Sequence, residues 1–177
     1  MAKLTFILGG ARSGKSRFAI ELAKKTAGRV AFIATARPED DEMRRRIKLH
    51  RKNRPSRWKT IEGPRGLAPL IKNLPARYDL IIIDCLTIYI SNLLLEGKGD
   101  RYIEREVSGI LKSIKNLDFD SIIVSNEVGL SLVPDNPLGR RFRDLAGRIN
   151  QMAAAASSKA YFIVSGLPIK IKGAEDG

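Results

Sequence analysis

Two short runs hold the residues best suited to chemistry on phosphates: GGARSGKS, Gly9 to Ser16, and KLHRKNRPSRW, Lys48 to Trp58. The first satisfies G-x-x-x-x-G-K-[ST] between an apolar run and a helical pattern, the context that gives this motif its meaning. Gly9, Gly10 and Gly14 let the backbone curl so that its N–H groups face phosphate oxygens. Lys15 then reaches the outer phosphates, and Ser16 can ligate a metal at the helix N-terminus. An ordinary glycine-rich turn is the alternative, and pattern and flanks together speak against it. A phosphate loop of this kind needs a carboxylate for the metal, and LIIID supplies Asp84 at the end of a buried run. Asp84 is also readable as the cap of a helix beginning near Cys85.

The second run contains His50, the only histidine, among cations and with no carboxylate beside it. The four acids Glu39 to Glu42 precede it and suit the first turn of a helix. At helical spacing Met43, Ile47 and either His50 or Arg51 share one face, which would shelter the imidazole beside the core. Arg51, Lys52 and Arg54 disfavour a further positive charge on the ring and would also bind a triphosphate. A neutral imidazole so placed is a nucleophile; a histidine without a role in a solvated charge run is the plainer reading. Cys85, the only cysteine, reads as packing, because no base accompanies it.

The elements that must position these groups follow from apolar periodicity. Short runs rich in Ile, Val and Phe alternate with longer segments of helical period, the pattern of a parallel sheet covered by helices. Strands are expected at 4–8, 29–34, 80–84, 121–125 and 160–164, with their carboxyl ends lining the site. Helices are expected at KSRFAIELAKKT, with Phe18, Leu22 and Ala19 inward, at REVSGILKSIKN and at RRFRDLAGRINQMAAAA. The Pro- and Gly-rich stretches 54–75 and 129–139 read as loops on the active face. Thr35 and Asn126 each follow a strand at the end where ligands bind, and each reads equally well as a turn residue.

A chain of 177 residues fits one domain, here taken as 1–177, with a core that needs no disulfide. The formal net charge of +13 asks for an anionic partner: nucleic acid, a membrane surface or a phosphorylated small molecule. One cysteine and one histidine exclude an all-cysteine or histidine-cluster metal site and fit a reducing cytoplasm. The N-terminal KLTFIL is too short for a signal-peptide core, and LIIIDCLTIYISNLLL is broken by Asp84, Ser91 and Asn92, so no membrane span is expected.

The segments GGARSGKS, FIATA, DDEMRRRIKLHRKNRPSRWKTIEGP, DCLTIYISNLL, VSNEVGLSLVPDNPLGRRFRDLAGRINQ and VSGLP, in this order, resemble the bifunctional adenosylcobinamide kinase / adenosylcobinamide-phosphate guanylyltransferase family of cobalamin biosynthesis over nearly the whole chain. The resemblance implies an α/β P-loop NTPase fold of the RecA-like class, with a largely parallel sheet flanked by helices, assembled as a homotrimer. It implies phosphorylation of adenosylcobinamide, then transfer of GMP from GTP to the phosphate through a GMP–histidine intermediate on His50, with GTP and ATP as nucleotides and Mg²⁺ held by Ser16 and Asp84. It places nucleotide contacts on Gly9, Gly10, Ala11, Arg12, Ser13, Gly14, Lys15, Ser16, Ala34, Thr35, Ala36, Arg51, Lys52, Asn53, Arg54, Glu62 and Asp84, with His50, Lys15 and Asp84 catalytic. Glu62 would orient guanine or ribose. Two departures stand out, Tyr89 where an indole is common and Leu130–Ser131 where Trp–Gly is usual, and both bear on substrate-side packing.

Two rivals remain at this level. A nucleic-acid-binding ATPase is supported by charge and P-loop, but an aromatic content of 6% without an aromatic–basic stripe speaks against specific nucleic-acid binding. A kinase without guanylyltransfer leaves the basic run around His50 unexplained.

Overall fold

A computed structural model describes residues 2–26 and 28–174. Seven strands form one sheet: β1 (Leu4–Gly9), β2 (Val30–Ala34), β3 (Lys59–Glu62), β4 (Leu80–Asp84), β5 (Asp120–Asn126), β6 (Lys159–Val164) and β7 (Leu167–Lys172). Their order is β3-β2-β4-β5-β1-β6-β7, parallel throughout except for the antiparallel β6–β7 pair. Six helices connect them: α1 (Lys15–Thr26), α2 (Asp41–Lys52), α3 (Leu67–Lys72), α4 (Leu86–Leu95), α5 (Asp100–Lys115) and α6 (Pro137–Ala156).

Alternation along β1 sorts the core into two layers. Leu4 and Phe6 join the layer filled by α3, α4, α5 and α6, including Leu67, Leu86, Ile103 and Leu145. Ile7 joins the opposite layer with Ala19, Ile20 and Ala23 of α1 and with Trp58. The central strands are apolar on both sides because both sides are covered; all five residues of β2 are buried. Helix α1 thus turns Ala19, Ile20 and Ala23 inward, while Phe18 and Leu22 pack at its edge, a rotation from the expected Phe18–Leu22 face. Small alanines let the helix lie close to the sheet.

Two strands lie where sequence reasoning expects loops or nothing. Within 54–75 the chain forms β3 and α3, and 137–139 already belongs to α6, so only 129–136 of the second stretch is a loop. Strand β3 is a four-residue edge strand with no buried side chain, so its period carried little signal. Strand β7, LPIKIK, alternates apolar and polar residues on the other edge; Leu167, Ile169 and Ile171 are exposed. Tyr89 is fully buried, and its hydroxyl accepts from Leu67 N (3.4 Å) and donates to Glu106 (3.1 Å), so this departure lies in the core. Leu130 and Ser131 are exposed in the loop after β5.

Candidate active site

The carboxyl ends of β1, β2, β4 and β5 converge, and the turn from β1 to α1 carries the glycine-rich motif. Gly9 is required by space: a Cβ there would stand 2.5 Å from the Ile163 carbonyl oxygen and 2.8 Å from Ser13 Oγ. Gly14 has φ +97° and lies against Gly166, whose N–H donates to Ser13 O (2.9 Å). Ser13 N donates to Gly10 O (3.3 Å), closing the turn, and Arg12 takes a left-handed φ of 54°. The first N–H groups of α1, from Lys15 and Ser16 onward, have no helical acceptor and make an anion cradle. Ala11 and Arg12 are exposed at its rim.

Lys15 is only 7% exposed, and its ammonium is folded onto Gly10 O, with Ser13 Oγ at 3.4 Å. Burial pulls it below the ordinary lysine value, while Cys85 and Asp84 pull it back up. Asp84 ends β4, and its side chain is 11% exposed. It does not cap the next helix: Cys85 does, its Sγ accepting from Ile88 N at 3.4 Å. Burial first, and then Asp84, pushes the Cys85 thiol up to about 12, which fits packing and not nucleophilic chemistry. The Asp84–Cys85 peptide is cis.

Thr35 is fully buried directly after β2. Its hydroxyl donates to Cys85 O (2.8 Å) and accepts from Cys85 N (2.8 Å), and its own N–H donates to Asp84 O (3.2 Å). The Thr35 side chain is therefore spent on holding the Asp84–Cys85 turn. Ala34 pairs with Asp84 in the sheet, and its carbonyl accepts from Gly63 N (2.8 Å), while Ala36 is half-buried beyond it.

Helix α2 brings the basic run to the same place. Asp40 caps it, accepting from Met43 N (2.6 Å), and Asp41 and Glu42 occupy its first turn. Met43, Ile47 and His50 are half-buried along one face, as their spacing predicts. His50 Nδ1 stands 4.0 Å from Asp84 Oδ2, although 34 positions separate them in the chain, and the His50 side chain is 44% exposed. Arg51 pairs with Glu62 at the end of β3 (2.5 Å). Lys52 and Asn53 are exposed. Arg54 lies with its guanidinium carbon 3.5 Å from the centroid of Phe32, and its buried Nε and Nη1 have no hydrogen-bond partner among the described residues. Burial lowers Arg54 from its ordinary value, and Asp84 opposes that.

The cradle, Lys15, Asp84, His50 and Arg54 thus form one group, with Arg51 and Glu62 at its edge. The Asp84 carboxylate makes no hydrogen bond among the described residues, only the long contact to His50. Among those residues no three His, Cys, Asp or Glu side chains gather as a metal cage. One carboxylate and the Ser16 hydroxyl are hard oxygen donors that suit a cation shared with phosphate oxygens, as Mg²⁺ is.

Sequence reasoning missed the clamp that holds the loops behind this group. Glu96 pairs with Arg37 and with Arg65 (2.7 Å), and Asn92 Nδ2 donates to Thr35 O (2.9 Å) and Pro64 O (3.4 Å). These partners are far apart in sequence, so no local signal announces them. Among the described residues no helix is long and apolar enough to cross a membrane.

A family model described as cobinamide kinase / cobinamide phosphate guanyltransferase matches residues 5–171. The chain is 42% identical over 167 residues to the bifunctional adenosylcobalamin biosynthesis protein CobP of Pseudomonas aeruginosa, covering 94% of this chain and 96% of that protein. It is 40% identical to the bifunctional adenosylcobalamin biosynthesis protein CobU of Salmonella typhimurium and 36% identical to that of Escherichia coli, covering 96% of this chain and 99% of each relative. The crystal structure of the RadB recombinase superposes with a TM-score of 0.53 at 13% identity, over 90% of this chain and 73% of that one, a likeness of fold alone.

Proposed function

The chain belongs to the cobinamide kinase / cobinamide phosphate guanyltransferase family, and from that premise we propose that it phosphorylates adenosylcobinamide and then transfers GMP from GTP to the phosphate through a GMP adduct on His50. It is an enzyme of cobalamin biosynthesis with both activities, its substrates a nucleotide and a cobinamide. The observation that carries the two-step reading is the meeting of His50 with Asp84 at 4.0 Å beside the phosphate cradle.

In the first reaction the cradle and Lys15 hold the triphosphate while the substrate hydroxyl attacks the γ-phosphorus. In the second, a His50 ring nitrogen forms a bond to the α-phosphorus of GTP as the bond to the bridging oxygen breaks, and pyrophosphate leaves with that electron pair. An oxygen of cobinamide phosphate then bonds to the same phosphorus as the N–P bond breaks, freeing the imidazole. Mg²⁺, with Ser16 and Asp84 as its protein ligands, would neutralise charge on the phosphates. Arg51 and Arg54 stabilise charge on the transferring group, and Glu62 orients guanine or ribose. The remaining contacts are the cradle residues, Ala34 to Ala36, Lys52 and Asn53.

The same reading includes a single catalytic domain over 1–177, a homotrimer and a cytoplasmic location. Chromatography of products tests the chemistry: with ATP or GTP, Mg²⁺ and adenosylcobinamide, the phosphate ester should form first and adenosylcobinamide-GDP second, with one pyrophosphate per GDP product. Formation of the ester alone would reduce the protein to a kinase. Stimulation of hydrolysis by DNA would favour the nucleic-acid-dependent rival.

A further inference from the structure

We propose that Asn126, at the end of β5, is a catalytic residue of the kinase step: its side-chain amide donates to the phosphoryl group in transit. The inference rests on the kinase reading above and adds a residue and a role to it.

Position comes from topology. Strand β5 lies between β1, which carries the cradle, and β4, which carries Asp84. Asn126 is in register with Gly9, and the next residue, Glu127, donates its N–H to Gly9 O at 2.9 Å. Its side-chain Nδ2 lies 4.0 Å from Cys85 Sγ, beside the Asp84 turn. The amide therefore stands between the phosphate cradle and the carboxylate.

Its backbone is held by a closed ring of hydrogen bonds. Asn126 N donates to Thr87 Oγ1 (2.6 Å), Thr87 Oγ1 lies 2.8 Å from Ser125 Oγ, Ser125 Oγ donates to Asn150 Oδ1 (2.7 Å), and Asn150 Nδ2 returns to Asn126 O (3.0 Å). The proton order has one solution. The single Ser125 hydroxyl hydrogen goes to Asn150, so Thr87 donates to Ser125, and the Thr87 oxygen accepts from Asn126. Thr87, Ser125 and Asn150 are all buried. Such a satisfied buried network fixes one geometry.

The side chain is left outside that ring. Among the described residues its one contact is the long approach to a thiol, a weak acceptor. A rigidly mounted donor with no good protein acceptor, set beside a phosphate cradle, matches an anionic oxygen. In the kinase step the substrate oxygen bonds to the γ-phosphorus, the bond to the β,γ-bridging oxygen breaks, and the nucleoside diphosphate leaves with the electron pair while the hydroxyl proton passes to solvent. Asn126 takes no proton; it stabilises charge on the equatorial oxygens. In guanylylation the reacting phosphorus is the α-phosphorus, so the same contact touches only the leaving pyrophosphate and matters less.

The test compares Asn126→Ala and the isosteric Asn126→Asp with the unaltered chain in both half-reactions, with nucleotide affinity and thermal midpoint measured alongside. Removing one preorganised donor should lower kcat for cobinamide phosphorylation about 10²-fold. The rate of GMP-adduct formation from GTP should fall by less than tenfold, and the thermal midpoint should stay close to that of the unaltered chain. A kinase kcat unchanged in both variants overturns the assignment, as does an equal loss in both half-reactions that tracks lost nucleotide affinity. An unaltered chain that phosphorylates no cobinamide would instead remove the kinase reading itself, and this assignment with it.

Discussion

Lys15 and His50 both face the Asp84 carboxylate, yet Lys15 is buried at the root of a core helix while the His50 side chain is 44% exposed near the end of a helix with no fully buried described side chain. The cradle is anchored by the central sheet, by close-packed glycines and by Thr35 locked onto Cys85. Helix α2 is tethered by its cap, by local pairs such as Arg44–Asp41, and by the exposed Arg51–Glu62 pair. The contrast separates two kinds of work. Under the proposed function the cradle serves every reaction on the triphosphate and α2 only the one that needs a covalent carrier, so substitutions in the two regions should be separable in activity and in stability.

The largest effect is expected at the shared element. Lys15→Ala removes the cation of the cradle and should lower kcat/KM of both reactions by about 10³-fold or more, measured by steady-state assays with calorimetric nucleotide binding in parallel. Retention of either activity would break the claim that both use one cradle.

Stability should next divide the regions. Thr35→Val leaves the buried Cys85 N–H without its acceptor and strips Cys85 O of one of its two donors, Tyr89 N remaining, and should cost about 1–3 kcal/mol in chemical denaturation. On the α2 side, Arg51→Ala, Glu62→Ala and the double variant should give a coupling energy below about 1 kcal/mol, because both side chains are more than half exposed. A coupling as large as the Thr35 effect would mean that α2 is built into the fold as firmly as the cradle.

The smallest effect concerns the clamp between the regions. Hydrogen bonds from Arg37 and then Arg65 hold the Glu96 carboxyl below the usual carboxylate range. The folded chain thus releases this proton at lower pH than the unfolded chain, whose value is about 4.3. The contribution is complete above that pH and is lost as pH falls through the folded value. Glu96→Gln should flatten the acid limb of a stability profile slightly and leave the neutral region unchanged in slope.

How much of this was legible in the sequence follows from the range over which each signal acts. GGARSGKS declares itself because the turn needs those glycines, and β2, β4 and β5 declare themselves as runs apolar on both sides. KTIE carried too few residues and too little burial to stand out among prolines and glycines, and LPIKIK has the strand period without a core to fill. The sheltered spacing of Met43, Ile47 and His50 was readable, but their destination was not. His50 reaches Asp84 only because β2 pairs with β4, a fact of strand order. The Glu96 clamp and the ring around Asn126 likewise join residues 24 to 59 positions apart, beyond any local period.

The central claim is that His50 is the covalent carrier of GMP, and intact-protein mass spectrometry after incubation with GTP and Mg²⁺ without cobinamide tests it most directly. One GMP should add to the unaltered chain, be lost in acid as a P–N bond is, and map to His50; His50→Ala and His50→Asn should show no adduct while retaining phosphorylation of adenosylcobinamide. An undiminished adduct in both variants would place the nucleophile elsewhere and contradict the account.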